Sequence, residues 1–128
     1  MSDEPAIFVI DDNDEFRTLL GELLDLKGHR TQAFASAEEA LTHIRDGARP
    51  TSKLVISDIN MEGVSGLAFT RELARLAPQL PIILMSAFGG RERAEEAAAA
   101  GATAYINKPF PLPDLTALVQ RVLEGMES

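Results

Sequence analysis

Short apolar segments alternate along this chain with longer segments in which apolar residues recur every three or four positions. The short segments predict five β-strands, at Ala6 to Ile10, Arg30 to Phe34, Leu54 to Ser57, Ile82 to Met85 and Ala104 to Ile106. Four of them are continuously apolar, which is typical of strands that are buried on both faces of a parallel sheet. The second segment is more polar, so we predict that its strand lies at an edge of the sheet.

The longer segments predict a helix after each strand. The first helix is expected to end at Gly28, and the second to begin with a capping box of Ser36 and Glu39. The fourth, Arg91 to Ala100, differs from the others because all its apolar residues are alanine. Alanine favours helix but buries little area. We therefore expect this helix to be held less firmly than its neighbours, either as a thin helix that fits closely on the sheet or as one that can shift.

This alternation predicts an α/β fold, a doubly wound five-stranded parallel sheet with right-handed crossovers and five helices on its two faces. We expect a single domain over residues 1–128, with a core from about residue 5 to residue 124 and no output domain in this chain. Open sheets of this kind bind ligands at the carboxyl ends of their strands, where the strand order reverses. Candidate chemistry is therefore expected at that edge.

Composition and charge exclude several classes of protein. The chain has 20 acidic and 12 basic residues and a net charge of −8, so direct nucleic-acid binding by this domain is not expected. The absence of cysteine excludes disulfides, thiolate metal sites and cysteine nucleophiles. No apolar segment approaches the roughly 18 to 20 residues that span a bilayer, and the first residues lack the pattern of a secretory signal. We expect a cytoplasmic protein with no membrane partner.

Charged and polar residues follow the predicted strands at their carboxyl ends. Asp11 and Asp12 follow the first strand, Asp58 the third, Ser86 the fourth and Lys108 the fifth. Two like charges about 4 Å apart repel by roughly 4 kcal/mol at an effective dielectric near 20, so such acids favour a bound cation. Hard oxygen ligands suit Mg²⁺, and together Mg²⁺ and the lysine would balance the three carboxylates. Such a site can hold the added charge of a phosphoryl group.

Three other polar residues are assigned ordinary roles. Asp14 is predicted to cap the first helix. His29 follows a helix end, and His43 lies on a helix with no acid at metal-ligand spacing, so both are predicted to be surface residues.

Four motifs at these positions resemble those of the receiver domains of bacterial two-component response regulators, including chemotaxis regulators. The motifs are Val9-Ile10-Asp11-Asp12, Ser57-Asp58-Ile59-Asn60-Met61 followed by Gly66, Met85-Ser86-Ala87, and Tyr105-Ile106-Asn107-Lys108-Pro109-Phe110. The resemblance extends from about Ile7 to Leu123. It implies a flavodoxin-like receiver fold with strand order 2-1-3-4-5.

By this resemblance, Asp58 accepts a phosphoryl group from a phosphohistidine on a sensor histidine kinase or phosphotransfer protein. Mg²⁺ is the implied cofactor, and its implied ligands are Asp11, Asp12, Asp58 and the main-chain carbonyl of Asn60. The resemblance implies a signalling domain rather than an enzyme, one that assists its own phosphoryl transfer and dephosphorylation.

The resemblance also implies roles for residues around the acceptor. Lys108, Ser86 and Ala87 would bind the phosphoryl group, Ser86 and Tyr105 would act as switch residues, and a cis bond before Pro109 would orient the lysine. The fourth helix, fifth strand and fifth helix would then control an output domain or protein target, or form a homodimer on phosphorylation. Gly66, by contrast, is interpreted as a residue that permits a close helix start.

Two features of the sequence bear on regulation. Glu62 stands where the family commonly has proline, and we hypothesise that it makes the loop more mobile and alters metal affinity or phosphoryl lifetime. The segment Phe34 to Leu41 resembles receivers that are joined to helix-turn-helix transcription domains. The chain is therefore interpreted either as a stand-alone receiver or as part of a longer regulator.

Three rival functions stay open at this point. An aspartate-nucleophile phosphatase also needs Mg²⁺, but Asp12-Asn13-Asp14 is followed by Glu15 rather than by the hydroxyl residue expected there. A flavodoxin-like electron carrier would bind phosphate at the first loop, where three aspartates would repel it, and only 5% of the residues are aromatic. The third rival is a receiver-shaped binding module that is never phosphorylated. It is disfavoured by the intact site residues Asp11, Asp12, Asp58, Ser86 and Lys108, and only an assay can exclude it.

Overall fold

Five parallel strands and five helices make up the part of the chain that the computed structural model describes, residues 6–46, 52–59, 65–87 and 91–126. The strands form one sheet in the order β2-β1-β3-β4-β5. Their bounds are β1 Ala6–Ile10, β2 Thr31–Phe34, β3 Ser52–Asp58, β4 Ile82–Ser86 and β5 Ala104–Asn107. The helices are α1 Asp14–Leu26, α2 Ala37–Asp46, α3 Gly66–Leu76, α4 Arg91–Ala100 and α5 Leu112–Met126. The predicted fold class and strand order are confirmed.

The sheet separates two apolar cores, because successive residues of a strand point to opposite faces. Phe8 and Ile10 of β1 belong to the core under α2, α3 and α4, whereas Ile7 and Val9 belong to the core under α1 and α5. All five residues of β1 are buried, as the continuous apolar segment predicts. The more polar β2 lies at the edge of the sheet, also as predicted.

β3 is longer than predicted, since it includes Ser52 and Lys53 at its start and Asp58 at its end. Its backbone pairs with β1 and β4, and Asp58 is the register partner of Met85 on β4. Backbone pairing therefore continues through polar residues that a hydrophobic pattern does not mark. The candidate acceptor is thus the last residue of a strand, not the first residue of a loop.

α4 contributes little to the core beneath it. Ala97 and Ala100 are its buried residues, and the helix is followed by Gly101, which has a left-handed φ of 113°.

No helix among the described residues is long and apolar enough to cross a membrane.

Two predictions about polar residues are wrong. The N-cap of α1 is Asn13, whose side chain accepts a hydrogen bond from the Phe16 amide, and Asp14 is the first residue of the helix. His43 is half-buried rather than on the surface, because its ring packs against Phe8 and Phe34 with centroid distances of 5.6 and 5.5 Å.

His29 is also half-buried, and its Nδ1 lies 3.0 Å from Lys53 Nζ. Burial, together with the positive charge of Lys53, lowers the pKa of His29. A cation beside a partly buried imidazole favours the neutral ring, which can accept a hydrogen bond from the lysine. His29 therefore keeps partial exposure to solvent, which does not contradict the predicted surface position, but its ring has a lysine neighbour that the sequence did not indicate.

Candidate functional site

Three carboxylates meet at the carboxyl edge of the sheet. Asp11 follows β1, Asp12 comes next, and Asp58 ends the neighbouring β3. One oxygen from each of the three lies within 4.8 Å of the others. Asp11 and Asp58 are only 1% and 6% exposed, whereas Asp12 is exposed. The cluster therefore has a buried floor formed by two acids and a solvent-facing rim formed by the third.

Local hydrogen bonds fix the backbone around Asp11. Its amide donates to the Phe34 carbonyl on β2 at 3.2 Å, and its Oδ1 accepts from the Asn13 amide at 2.9 Å. The Arg17 guanidinium donates to the Asp11 carbonyl at 2.5 Å and also pairs with Asp14. The first turn of α1 therefore holds the loop that carries two of the three acids.

Lys108 supplies a cation to this cluster. Its Nζ lies 3.1 Å from Asp11 Oδ2 and 3.1 Å from Asp58 Oδ2. The Lys108 amide donates to the Ser86 carbonyl at 2.7 Å, which ties the loop after β5 to the end of β4, and the Lys108–Pro109 bond is cis. One ammonium therefore bridges the carboxylates that end two neighbouring strands.

The electrostatics of this bridge keep the lysine charged. Burial by itself lowers the pKa of Lys108, but the charges and hydrogen bonds of Asp11 and Asp58 outweigh that effect and raise the pKa above its usual value. Three carboxylates facing one ammonium leave the cluster with two excess negative charges if all three acids are ionised. That excess matches the charge of one divalent cation, and hard oxygen donors are the ligands that Mg²⁺ prefers.

The remaining predicted site residues lie around the cluster. Ser86 is buried at the end of β4, between the strands that carry Asp58 and Lys108, and Ala87 follows it with its side chain exposed. Tyr105 is half-buried on β5 and packs against the α2, α3 and α4 core, and its hydroxyl donates to Asn107 Oδ1 at 2.7 Å. The predicted metal ligand Asn60, like Glu62, lies outside the described residues.

Gly66 brings α3 against the backbone of the candidate acceptor. Its amide donates to the Ile59 carbonyl at 3.0 Å. A Cβ at this position would lie 2.4 Å from the Asp58 carbonyl oxygen and 2.6 Å from the Ile59 Cα, closer than atoms of a side chain and backbone can approach. Glycine is therefore required sterically for this contact, which fits its interpretation as a residue that permits a close helix start.

The sequence did not indicate an aromatic contact at the site. Lys108 Nζ lies 5.1 Å from the centroid of the Phe16 ring, and that ring meets Phe110 edge-on with a centroid distance of 6.3 Å. The helical spacing of apolar residues indicates a core position for Phe16, and nothing in that pattern indicates a contact with Lys108. The position of Phe16 in the first turn of a helix that starts at the acidic loop is the signal that could have placed it beside the site.

Comparison with known proteins gives one consistent result. The sequence profile described as the response regulator receiver domain matches residues 7–120. The C4-dicarboxylate transport transcriptional regulatory protein DctD of Rhizobium meliloti is 38% identical over 124 residues, which are 97% of this chain and 26% of that protein. The response regulator protein FleR of Pseudomonas aeruginosa is 39% identical over 115 residues, 90% of this chain and 24% of that protein.

A solved structure agrees with these matches. The receiver domain of NtrX from Brucella abortus superposes with a TM-score of 0.82 and 35% identity, and the match covers 92% of this chain and 98% of that one. The chain spans about a quarter of the length of the curated relatives described above.

Proposed function

This chain belongs to the response regulator receiver domain family, and we propose that its Asp58 accepts a phosphoryl group from a phosphohistidine on a sensor histidine kinase or phosphotransfer protein. The reaction forms a bond between an Asp58 carboxylate oxygen and phosphorus, and it breaks the bond between phosphorus and the histidine nitrogen of the partner. The product is an acyl phosphate that stores the signal until water removes it. The domain labels itself once and does not turn over a substrate.

The observation that carries this proposal is the position of Lys108, whose Nζ is 3.1 Å from both Asp58 and Asp11. Phosphoryl transfer requires mainly an aligned nucleophile and positive charge close to the transferred oxygens. A lysine is protonated at neutral pH, and the carboxylates of Asp11 and Asp58 raise the pKa of Lys108 in spite of its burial, so the charge is present when the phosphoryl group arrives. Ser86 and the Ala87 amide lie at the same edge and are proposed to donate to phosphoryl oxygens.

The acidic cluster supports Mg²⁺ as the cofactor, with Asp11, Asp12 and Asp58 as side-chain ligands and the Asn60 carbonyl as a further one. When bound, Mg²⁺ would supply the positive charge that offsets the phosphoryl oxygens during transfer. Asp12 is the exposed member of the set, so a cation can reach it from solvent, while the two buried acids are already held in place by Lys108.

Output is proposed to pass through the surface of α4, β5 and α5. Tyr105 connects this surface to the site, because its ring packs in the core beneath α4 and its hydroxyl bonds Asn107, next to Lys108. We propose that Ser86 and Tyr105 change position on phosphorylation and that the lightly buried α4 moves with them. The surface would then control an output domain, a protein target or a homodimer. Because the relatives include a transcriptional regulatory protein, a transcription-regulating output domain is the partner we favour.

The proposal is tested by intact-mass measurement after incubation with acetyl phosphate and Mg²⁺. The parent protein should gain one phosphoryl group, and Asp58→Asn should gain none. Asp25→Asn is the matched control, since Asp25 is an exposed acid on α1 and outside the acidic cluster, and it should label like the parent. Labelling of Asp58→Asn, or no labelling of the parent, would overturn the acceptor role. Steady release of phosphate from a small ester would favour a phosphatase instead.

The metal is tested separately by calorimetric titration of Mg²⁺ into the unphosphorylated protein. Asp12→Asn should weaken Mg²⁺ binding, because it removes one carboxylate of the cluster, whereas Asp25→Asn should leave the affinity unchanged. Equal affinity in the parent and in Asp12→Asn would remove Asp12 from the ligand set.

A further inference from the structure

Phe16 and Phe110 form an aromatic wall beside Lys108. The Lys108 ammonium lies 5.1 Å from the Phe16 centroid, and Phe110 meets Phe16 edge-on at 6.3 Å with an interplanar angle of 80°. The two rings come from different segments of the chain, one from the first turn of α1 and the other from the segment between β5 and α5. The wall therefore gives the lysine an aromatic neighbour in addition to its two carboxylate partners.

The backbone holds Phe16 in this position. The Asn13 side chain accepts a hydrogen bond from the Phe16 amide at 2.9 Å, so the N-cap of α1 fixes where the ring leaves the helix. Phe16 and Phe110 are both half-buried and pack against the α1 and α5 core. The Lys108 side chain has a flexible four-carbon stem that can adopt many rotamers. The two packed rings therefore limit the rotamers that are open to it.

The chemistry of the contact favours a charged lysine. An ammonium within about 6 Å of an aromatic centroid is attracted by the negative face of the ring. The Lys108 side chain is 25% exposed, so it can also turn towards water. The face of the Phe16 ring beside the ammonium therefore favours the position of Lys108 Nζ between Asp11 and Asp58 over positions in solvent.

We propose that Phe16, braced by Phe110, is a positioning residue for Lys108, which it holds at the place where the phosphoryl group arrives. The effect of Phe16 on phosphoryl transfer rests on the function proposed above for Lys108, whereas its effect on the position of the lysine does not. The competing explanation is that Phe16 merely fills the core beside α1 and α5.

Matched variants separate these two explanations. Phe16→Leu keeps an apolar side chain in the core but removes the ring face, and Phe16→Tyr keeps the ring. Leu19→Ala is the control on the same helix, because Leu19 is 53% exposed and should change neither measurement. Phe110→Leu tests the brace and should have a smaller effect than Phe16→Leu, since Phe110 acts on the lysine through Phe16.

The first measurement is the NMR order parameter of the Lys108 ε-methylene carbon in the unphosphorylated protein without Mg²⁺. If the Phe16 ring holds the ammonium in place, this order parameter should be lower in Phe16→Leu than in the parent, and Phe16→Tyr should restore it. A Phe16 side chain that only fills the core would leave the mobility of Lys108 unchanged in Phe16→Leu. An unchanged order parameter in Phe16→Leu would overturn the inference, whatever the outcome of the phosphorylation assay.

The second measurement is the rate of labelling by acetyl phosphate with saturating Mg²⁺. Phe16→Leu should slow labelling about two- to five-fold at saturating acetyl phosphate, which is the effect expected from losing one exposed cation–π contact, and Phe16→Tyr should restore the rate. Equal rates in the parent and Phe16→Leu would overturn the effect on transfer. If the parent itself fails to label, the proposed function is wrong, and the NMR order parameters still decide whether Phe16 positions the lysine.

Discussion

α3 and α4 lie side by side on the same face of the sheet, but they are held to it very differently. α3 buries Leu67, Phe69 and Leu73 together with Gly66 and Thr70, whereas α4 buries Ala97 and Ala100. Burial of a Leu or Phe side chain contributes roughly 1.5–3 kcal/mol, against about 0.8 kcal/mol for one methylene-sized group. The free energy of side-chain burial that holds each helix to the core therefore differs several-fold between α3 and α4, although the two helices are similar in length.

The difference in burial agrees with the different roles that we propose for the two helices. The firmly anchored α3 begins at Gly66, in contact with the backbone of Asp58, so it fixes the acceptor. The lightly anchored α4 belongs to the proposed output surface. Segments with few buried apolar contacts open and move at lower free energy than well-packed ones. The size of the buried side chains is therefore the difference between these adjacent helices that would let α4 move while α3 stays fixed.

The largest expected effect comes from removing an anchor of α3. Leu73 is fully buried, so Leu73→Ala should lower the free energy of unfolding by about 3–5 kcal/mol, through lost burial and the cavity that remains. Ala97→Gly, which removes the corresponding anchor of α4, should cost about 1–2 kcal/mol, and about half of that reflects the poor helix propensity of glycine. Urea unfolding of both variants measures the difference. Equal losses would show that α4 is as firmly held as α3.

The contact between α3 and the acceptor is broken by Gly66→Ala. The added methyl would meet backbone atoms of Asp58 and Ile59, which cannot move aside as a side chain can, so we expect a loss of about 1–3 kcal/mol and slower labelling of Asp58. The control is Gly125→Ala in α5, where an added Cβ meets no described atom within 4 Å and should be neutral or stabilising by up to about 1 kcal/mol. Unfolding curves and intact-mass labelling test both effects. If Gly66→Ala changed neither the free energy of unfolding nor the labelling of Asp58, α3 would be able to shift away from Asp58 to make room for the methyl group.

Amide hydrogen exchange sharpens the comparison without any substitution. The amides of α4 should exchange at least about ten times faster than those of α3, which corresponds to roughly 1.4 kcal/mol less free energy for local opening. The measurement is exchange followed by NMR or by mass spectrometry of peptides from each helix. Similar protection in the two helices would contradict the assignment of α4 as the lightly held element.

The smallest effect concerns ion pairs on the outer side of α3. Glu72 accepts hydrogen bonds from Arg75 at 2.6 Å and from Arg45 of α2 at 2.9 Å, and these lower the pKa of Glu72. Because the folded-state pKa lies below the unfolded one, the stabilisation is present above the ordinary pKa of glutamate and is lost as pH falls through the folded-state value. The stability difference between the parent and Glu72→Gln should therefore shrink in acid.

That difference should also shrink in high salt, since exposed charges are screened. The matched control on α4 is Glu96→Gln, which removes a single pair to Arg93 at 3.3 Å and should have a smaller effect. Thermal midpoints at neutral and acidic pH, with and without salt, provide the measurement. A Glu72→Gln effect that is independent of pH would exclude the ion pairs as its cause.

The fold was largely predictable because both faces of the central strands are buried. β1 and α4 have the predicted bounds, since a continuous apolar segment and an alanine-rich segment each end abruptly in the sequence. The extension of β3 through Lys53 and Asp58 was not predictable from hydrophobicity, because it depends on backbone pairing with the neighbouring strands.

The convergence of Asp11, Asp58 and Lys108 was predictable because each lies at the carboxyl end of a parallel strand, and such strands end at one edge. The roles of these residues stay predictions. The choice of Asn13 over Asp14 as N-cap was not predictable, since both side chains can cap and the geometry of the loop decides between them. The contact between Phe16 and Lys108 was missed for a related reason, because it depends on how α1 crosses the edge of the sheet.

The strand order has one more consequence. Lys108 follows β5, the outermost strand on its side, whereas the acids are carried by β1 and β3 in the interior of the sheet. Outer strands detach at lower free energy than inner ones. If β5 detached transiently, the Lys108 ammonium would leave the site, while Asp11, Asp12 and Asp58 would stay together. Partial denaturation should therefore abolish binding of the phosphoryl group before it abolishes binding of divalent cations.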